Sequence, residues 1–228
     1  MSAPEPSQKT RLPPSKLGTK QHWDDVYKRE VQNFHDIQDE GEVWFPETVD
    51  KIVQWITDNV PSTSTSSVIE IGSGNGALLF SLAEEGFPAE HLFGVDYSED
   101  AIRLAQDIAR TRDLSTTVTF AVCDFLREDP EGRSSWDLIL DKGTFDAMAL
   151  LDLKDSALDP QAIYPAKVSR LLSSGGLFLI TSCNFTEEEL KSIFVTEQVS
   201  YFQTIKHRSF SFGGKTGSTY TSVVFKKE

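Results

Sequence analysis

The chain has 228 residues and carries 22 Lys and Arg against 35 Asp and Glu, a net charge of −13. Its length suits one domain, and 39% hydrophobic with 11% aromatic residues excludes wholesale disorder. The acidic excess argues against a clamp on nucleic-acid phosphates. No stretch reaches the roughly 18 apolar residues of a membrane span, and the N-terminus lacks the apolar segment of a secretory signal. Two cysteines make no disulfide framework, so the expected home is reducing and cytoplasmic, with no membrane partner.

In chain order, residues 1–17 are rich in Pro and Ser and read as a disordered tail. Residues 18–228 read as one domain, divided into an N-terminal helical cap (18–66) and a core (67–228). Trp23, Val26, Tyr27, Glu30, Val31 and Phe34 follow the spacing of an amphipathic helix. A second helix begins after Pro46, with Val49, Ile52, Val53 and Ile56 on one face, and ends before Pro61. Then the chain alternates. Short apolar runs at Val68–Ile71, Leu92–Val95, Val118–Val122, Leu138–Leu140 and Leu177–Ile180 read as strands. Helical segments separate them: Ala77–Glu85, Glu99–Arg112 capped by Ser98, one opening at Asp159-Pro160 and stopping at Ser174, and one opening on the capping box at Thr186. Strands apolar on both faces with helices between them predict an α/β fold, a doubly wound, mostly parallel sheet of seven strands. Tyr201–Phe212 and Ser218–Phe225, joined by a glycine loop, predict a C-terminal antiparallel hairpin at the sheet's edge.

The most informative stretch is Val-Ile-Glu-Ile-Gly-Ser-Gly-Asn-Gly, residues 68–76, a strand running into a glycine turn and a helix. Glycine is required where backbone must approach a ligand closely. As G-x-G-x-x-A the stretch also fits a dinucleotide-binding fingerprint, a weak match by itself. Glu70 two residues before Gly72, and glycines at 72, 74 and 76, resemble motif I of the class I S-adenosylmethionine methyltransferases, whose fold is Rossmann-like. The resemblance implies that Glu70, Gly72, Ser73, Gly74 and Gly76 hold the amino-acid end of S-adenosyl-L-methionine. It further implies that Asp96 takes the ribose hydroxyls while Tyr97 lies against the adenine. Asp124 and Phe125, ending the third strand, would recognise the adenine itself. An NAD enzyme would place an acid like Asp96 on the same ribose, so that residue alone does not discriminate. After the fourth strand the chain reads Asp-Lys-Gly-Thr-Phe-Asp, unlike the proline-rich motif of base-directed methyltransferases.

Five blocks narrow the resemblance: residues 17–27, 39–45, 140–147, 179–190 and 210–217. Together they resemble the elongation factor 1-alpha lysine methyltransferases of the METTL-ten or See-one type. The implied activity is protein-lysine N-methylation with elongation factor 1-alpha as the protein substrate and no nucleic acid partner. The reading takes Asp141 as the catalytic, lysine-orienting residue and Trp44, Phe45 and Phe145 as walls of the substrate channel. Trp23 and Tyr27 either close a lid over the cofactor or dock the first helix as core contacts. Gly214-Lys215-Thr216 imitates the end of a P-loop, but Ser209 stands where its first glycine belongs. The four histidines show no metal-ligand spacing, so no metal is expected, and a monomer is expected. Three alternatives remain: a methyltransferase for a small molecule, a cofactor-binding module without turnover, and an NAD oxidoreductase.

Overall fold

A computed structural model describes residues 11–61, 66–114, 118–154, 158–207, 209–212 and 215–228. Its helices are α1 (Lys20–Ile37), α2 (Pro46–Asn59), α3 (Ala77–Glu84), α4 (Glu99–Thr111), α5 (Thr144–Met148), α6 (Pro160–Leu171) and α7 (Glu187–Phe194). Its strands are β1 (Val68–Ile71), β2 (Leu92–Asp96), β3 (Thr119–Val122), β4 (Trp136–Lys142), β5 (Leu172–Ser182), β6 (Val199–Ile205), β7 (Ser209–Phe212), β8 (Lys215–Ser218) and β9 (Thr221–Lys227). Seven of them form one sheet in the order β3-β2-β1-β4-β5-β9-β6, with β9 antiparallel to both its neighbours.

The period of two along each strand sorts the core into two layers. Val68, Leu138, Leu140, Leu179 and Val224 meet Phe34 of α1, Ile52 and Ile56 of α2, Leu79 of α3 and Leu104 of α4. Ile69, Ile71, Ile139, Phe178, Ile180 and Phe225 face the other way, against Phe145 of α5, Tyr164 of α6 and Phe194 of α7. Helices thus cover both faces, as the apolar runs required. The order reverses between β1 and β4, whose Ile71 and Asp141 are in register, and open α/β sheets bind ligands at such a switch point.

Two expectations need correction. Residues 11–17 do not belong to a disordered tail: Arg11 pairs with Asp159 at 2.7 Å, the Ser15 N–H donates to the Leu150 carbonyl, and Lys16–Gly18 form a 3-10 turn. Residues 1–10 lie outside the described residues. The helix opening at Asp159 ends at Leu171, and β5 starts at Leu172, with Ser173–Gly176 bulging between the pair of Leu172 with Trp136 and that of Leu177 with Leu138. The expected C-terminal antiparallel hairpin is present, formed by β6 and β9 at the edge of the sheet. β9 sits inside the sheet because Val223, Val224 and Phe225 bury both faces of the strand, which leaves β6 as the edge. The chain leaves β6 after Ile205, and β7 pairs only with β8.

Candidate active site

A cavity opens over the carboxyl ends of β1–β4. Its floor is Ile71–Asn75, its flanks are Asp96 and Tyr97 after β2, Cys123–Arg127 after β3, and Lys142–Thr144 after β4. The N-terminal segment roofs it through Leu17, Gly18, Lys20, Trp23, Tyr27, Glu42 and Trp44, and Met148, Leu151 and Leu158 close the remaining side. Trp23 and Tyr27 stand at the roof of this cavity. Trp23 is 9% exposed and its ring packs against Trp44 at 4.9 Å, yet both it and Tyr27 line the cavity. The Trp23 indole N–H donates to the Leu17 carbonyl at 2.7 Å, which ties the helix to the turn before it.

The glycine loop is pressed from two sides. Gly74 has φ +53°, and a Cβ there would stand 2.5 Å from the Tyr27 hydroxyl oxygen, so the roof can descend only on glycine. The Thr144 hydroxyl donates to the Gly72 carbonyl at 3.4 Å from the opposite side. Gly76 is a helix-start glycine at φ +82° that packs on Phe120 and Phe80 and does not line the cavity. Ser73 does line it, and its buried hydroxyl has no partner.

Asp96 lines the cavity while its two carboxylate oxygens accept the Gly74 N–H at 3.2 Å and the Ser98 N–H at 3.0 Å. Burial raises its pKa to about 6 against those bonds. Each oxygen keeps a second lone pair for a ligand hydroxyl. Tyr97 follows, with the Lys20 ammonium 5.4 Å above its ring. Asp124 lines the cavity and accepts the Leu126 N–H at 3.2 Å, while the Phe125 ring reaches down into the core against Tyr164. Glu70 lies beneath this layer, 2% exposed and outside the lining. One of its carboxylate oxygens has no partner, and burial pushes its carboxyl up to about 8.

The expected substrate residues divide. Trp44 faces the cavity; Phe45 does not, being buried against Gly143 and, at 4.9 Å, against Tyr220. Phe145 is fully buried, its ring within 5.3 Å of Tyr164, Phe185 and Phe194, so it is a core residue and no channel wall. Asp141 is likewise misplaced as a lysine-orienting group. It is 1% exposed and outside the lining. Its oxygens accept the N–H groups of Thr144 at 3.0 Å and Phe145 at 2.9 Å and the hydroxyl of Tyr164. The helical register explains the placement of Phe145: α5 turns Thr144, Ala147 and Met148 toward the cavity and Phe145 away from it.

The structure adds Asn75, Glu42 and Lys142, which the sequence reading passed over. The segment 39–45 is anchored from four elements. The Glu42 N–H donates to Glu30 at 3.2 Å, the Glu40 carbonyl accepts from Asn75 at 2.9 Å, the Glu40 carboxylate takes Arg112 at 2.7 Å, and the Trp44 carbonyl accepts from Lys142 at 2.8 Å. The signal lay in the two blocks themselves, 39–45 and Asp141-Lys142-Gly143-Thr144, which are physically joined.

A family model described as a methyltransferase domain matches residues 62–226. Protein-lysine N-methyltransferase efm4 of Schizosaccharomyces pombe is 44% identical, over 94% of this chain and 95% of its own length. EEF1A lysine methyltransferase 2 of Homo sapiens is 40% identical, over 94% of this chain and 88% of its own. The chain belongs to this family of class I methyltransferases. Its fold recurs in the N-methyltransferase NodS of Bradyrhizobium japonicum, solved with S-adenosyl-L-homocysteine, at a TM-score of 0.59 and 16% identity over 90% of this chain and 98% of that one.

The cofactor of the family is S-adenosyl-L-methionine, and the residues present fit it. A glycine floor with no room for a Cβ at Gly74, an unpartnered Ser73 hydroxyl, and Asp96 and Asp124 with spare acceptor capacity match a cationic nucleoside bearing ribose hydroxyls and an adenine amine. The chain is accordingly an S-adenosylmethionine-dependent enzyme of the lysine methyltransferase type.

Proposed function

We propose that this chain methylates a lysine side chain of translation elongation factor 1-alpha. The observation that carries this reading is its end-to-end relationship to lysine methyltransferases, one of them named for EEF1A. When bound, S-adenosyl-L-methionine supplies an electrophilic methyl group. The chain's own residues then have two tasks, to hold the nucleoside and to deliver a neutral amine.

Asp96, Asp124 and the glycine floor serve the first. For the second, an unperturbed lysine with a pKa near ~10.4 must shed its proton before it can attack. Trp23, Tyr27, Trp44 and Met148 line the cavity with large, weakly polar groups, and desolvation against such groups lowers a lysine pKa. Glu42 is exposed where it borders the cavity and draws the incoming ammonium toward the aromatic wall. Asp141 lies below the cavity and outside its lining, so this reading gives it no contact with the incoming amine. Alignment of amine and methyl then supplies much of the acceleration.

A net charge of −13 suits a basic protein partner and disfavours a nucleic acid. A cytoplasmic location fits such a substrate; no helix among the described residues is long and apolar enough to cross a membrane. The test is incubation with radiolabelled S-adenosyl-L-methionine and purified elongation factor 1-alpha. Label in lysine is expected; absence of label, with S-adenosyl-L-homocysteine shown to bind, overturns the substrate.

A further inference from the structure

The cavity crosses the ends of neighbouring strands with a pattern of charge: Asp124 after β3, Asp96 at the end of β2, and Lys142 at the end of β4, just past the switch point. Three cations among the described residues line it, and they differ in their partners. The Lys20 ammonium holds both oxygens of Asp24, at 2.7 and 2.8 Å. Arg127 stands 3.6 Å from Asp124. Lys142 makes no ion pair with any described residue. Its ammonium donates to the Trp44 carbonyl at 2.8 Å, and of its three donors two remain.

A buried cation without an ion pair costs stability. Desolvation pulls the Lys142 pKa down, while the carboxyls of Glu70 and Asp141 work to hold it up. Neither carboxyl relieves the cost by contact: Asp141 is taken by Tyr164 and two backbone N–H groups, and Glu70 keeps an unpartnered oxygen. What would relieve it is an anion arriving in the cavity. The cofactor carries one such group, the α-carboxylate of its amino-acid end. With the ribose on Asp96, an adenine directed to β3 sends the amino-acid end the other way along the sheet. From β2 across β1 to β4 is two strand spacings, about 10 Å, comparable to the reach of that arm.

We propose that Lys142 binds the α-carboxylate of the cofactor through the ammonium protons that the Trp44 carbonyl leaves free. The inference rests on the cofactor assignment and not on the identity of the protein substrate. It also gives the anchored segment 39–45 a function, because one ammonium then holds both the cofactor and the backbone of a roof residue. A rival role is purely structural, with Lys142 serving only as the latch for Trp44.

Calorimetric titration separates the two, with S-adenosyl-L-homocysteine and 5′-methylthioadenosine, which has the nucleoside and sulfur but no amino-acid end. Lys142→Met should weaken S-adenosyl-L-homocysteine by about 10- to 100-fold and leave 5′-methylthioadenosine within about 2-fold, with Lys142→Arg in between. Equal losses for both ligands, or no loss for either, overturn the proposal. The unaltered protein gives a second measurement that needs no variant to fold: decarboxylated S-adenosyl-L-homocysteine, which keeps the amine, should bind about 10- to 100-fold more weakly than the parent. Equal affinity there overturns it as well. Failure of the unaltered protein to bind any of these ligands would instead overturn the cofactor assignment.

Discussion

Asp96 and Asp141 begin as equivalents. Each is an acid at the carboxyl end of a central parallel strand, each is almost fully buried, and each accepts two backbone N–H groups from the turns beside it. Their fates differ through a third partner. Tyr164 of α6 reaches under β4 and donates its hydroxyl to Asp141, turning that carboxylate into a cap for α5 and a tie between two helices. Asp96 has no such partner and faces the cavity. A buried acid becomes a ligand-binding group only when an oxygen with a free lone pair also faces the cavity.

The largest way to break this comparison is to remove the structural acid. Asp141→Leu should strand the Tyr164 hydroxyl and two N–H groups in the interior and cost about 3–5 kcal/mol of stability, read as a shift in the urea midpoint. If Asp141→Asn kept the midpoint but abolished methyl transfer, Asp141 would return to the catalytic group. Next in size, Asp96→Ala should weaken S-adenosyl-L-homocysteine by about 1.5–3 kcal/mol in calorimetry, and unchanged affinity would place the ribose elsewhere.

Acid titration separates the two further. Burial raises both carboxyls, Asp96 to about 6 and Asp141 to about 7, above their unfolded values. The native state therefore holds more protons than the unfolded chain between pH ~4 and these values, so both groups make the unliganded fold less stable as pH rises through that window. Binding runs the other way, because protonated Asp96 loses its charge as an acceptor for ribose. Affinity for S-adenosyl-L-homocysteine should fall below pH ~6, by at most about 1.4 kcal/mol per unit, and Asp96→Asn should remove the dependence. The smallest effect is expected at Phe145. Replacement by Leu should cost about 1–2 kcal/mol of stability and leave the KM for the protein substrate unchanged, whereas Trp44→Ala should raise that KM.

Periodicity and caps made most of the fold legible. Ser98, Asp159 and Thr186 cap the helices where their spacing placed them, and the alternating strands β1–β5 take the parallel order expected of strands buried on both faces. The terminal strands were less legible, since the choice between edge and interior depends on which neighbour covers Val223–Phe225. At the site, Gly72, Ser73, Gly74, Asp96, Tyr97, Asp124 and Phe125 all reach the cavity, because a strand end followed by a turn fixes which backbone faces upward. Glu70, Gly76, Phe45, Phe145 and Asp141 do not reach it. Helix rotation decided for Phe145, and distant partners for Phe45 by its seat on Gly143 and for Asp141 by Tyr164.

By itself the sequence determined the local physics: a doubly wound sheet, a glycine loop between a strand and a helix, and a string of strand-end acids. Those follow from residue periods and short-range sterics, which act over a few positions. Only the tertiary structure decided which acid stays free and which cation lacks a partner. Tyr164 lies 23 residues from Asp141, and Trp44 lies 98 from Lys142. Such hydrogen bonds leave no periodic trace in the chain, and they settle which polar groups remain available to a ligand.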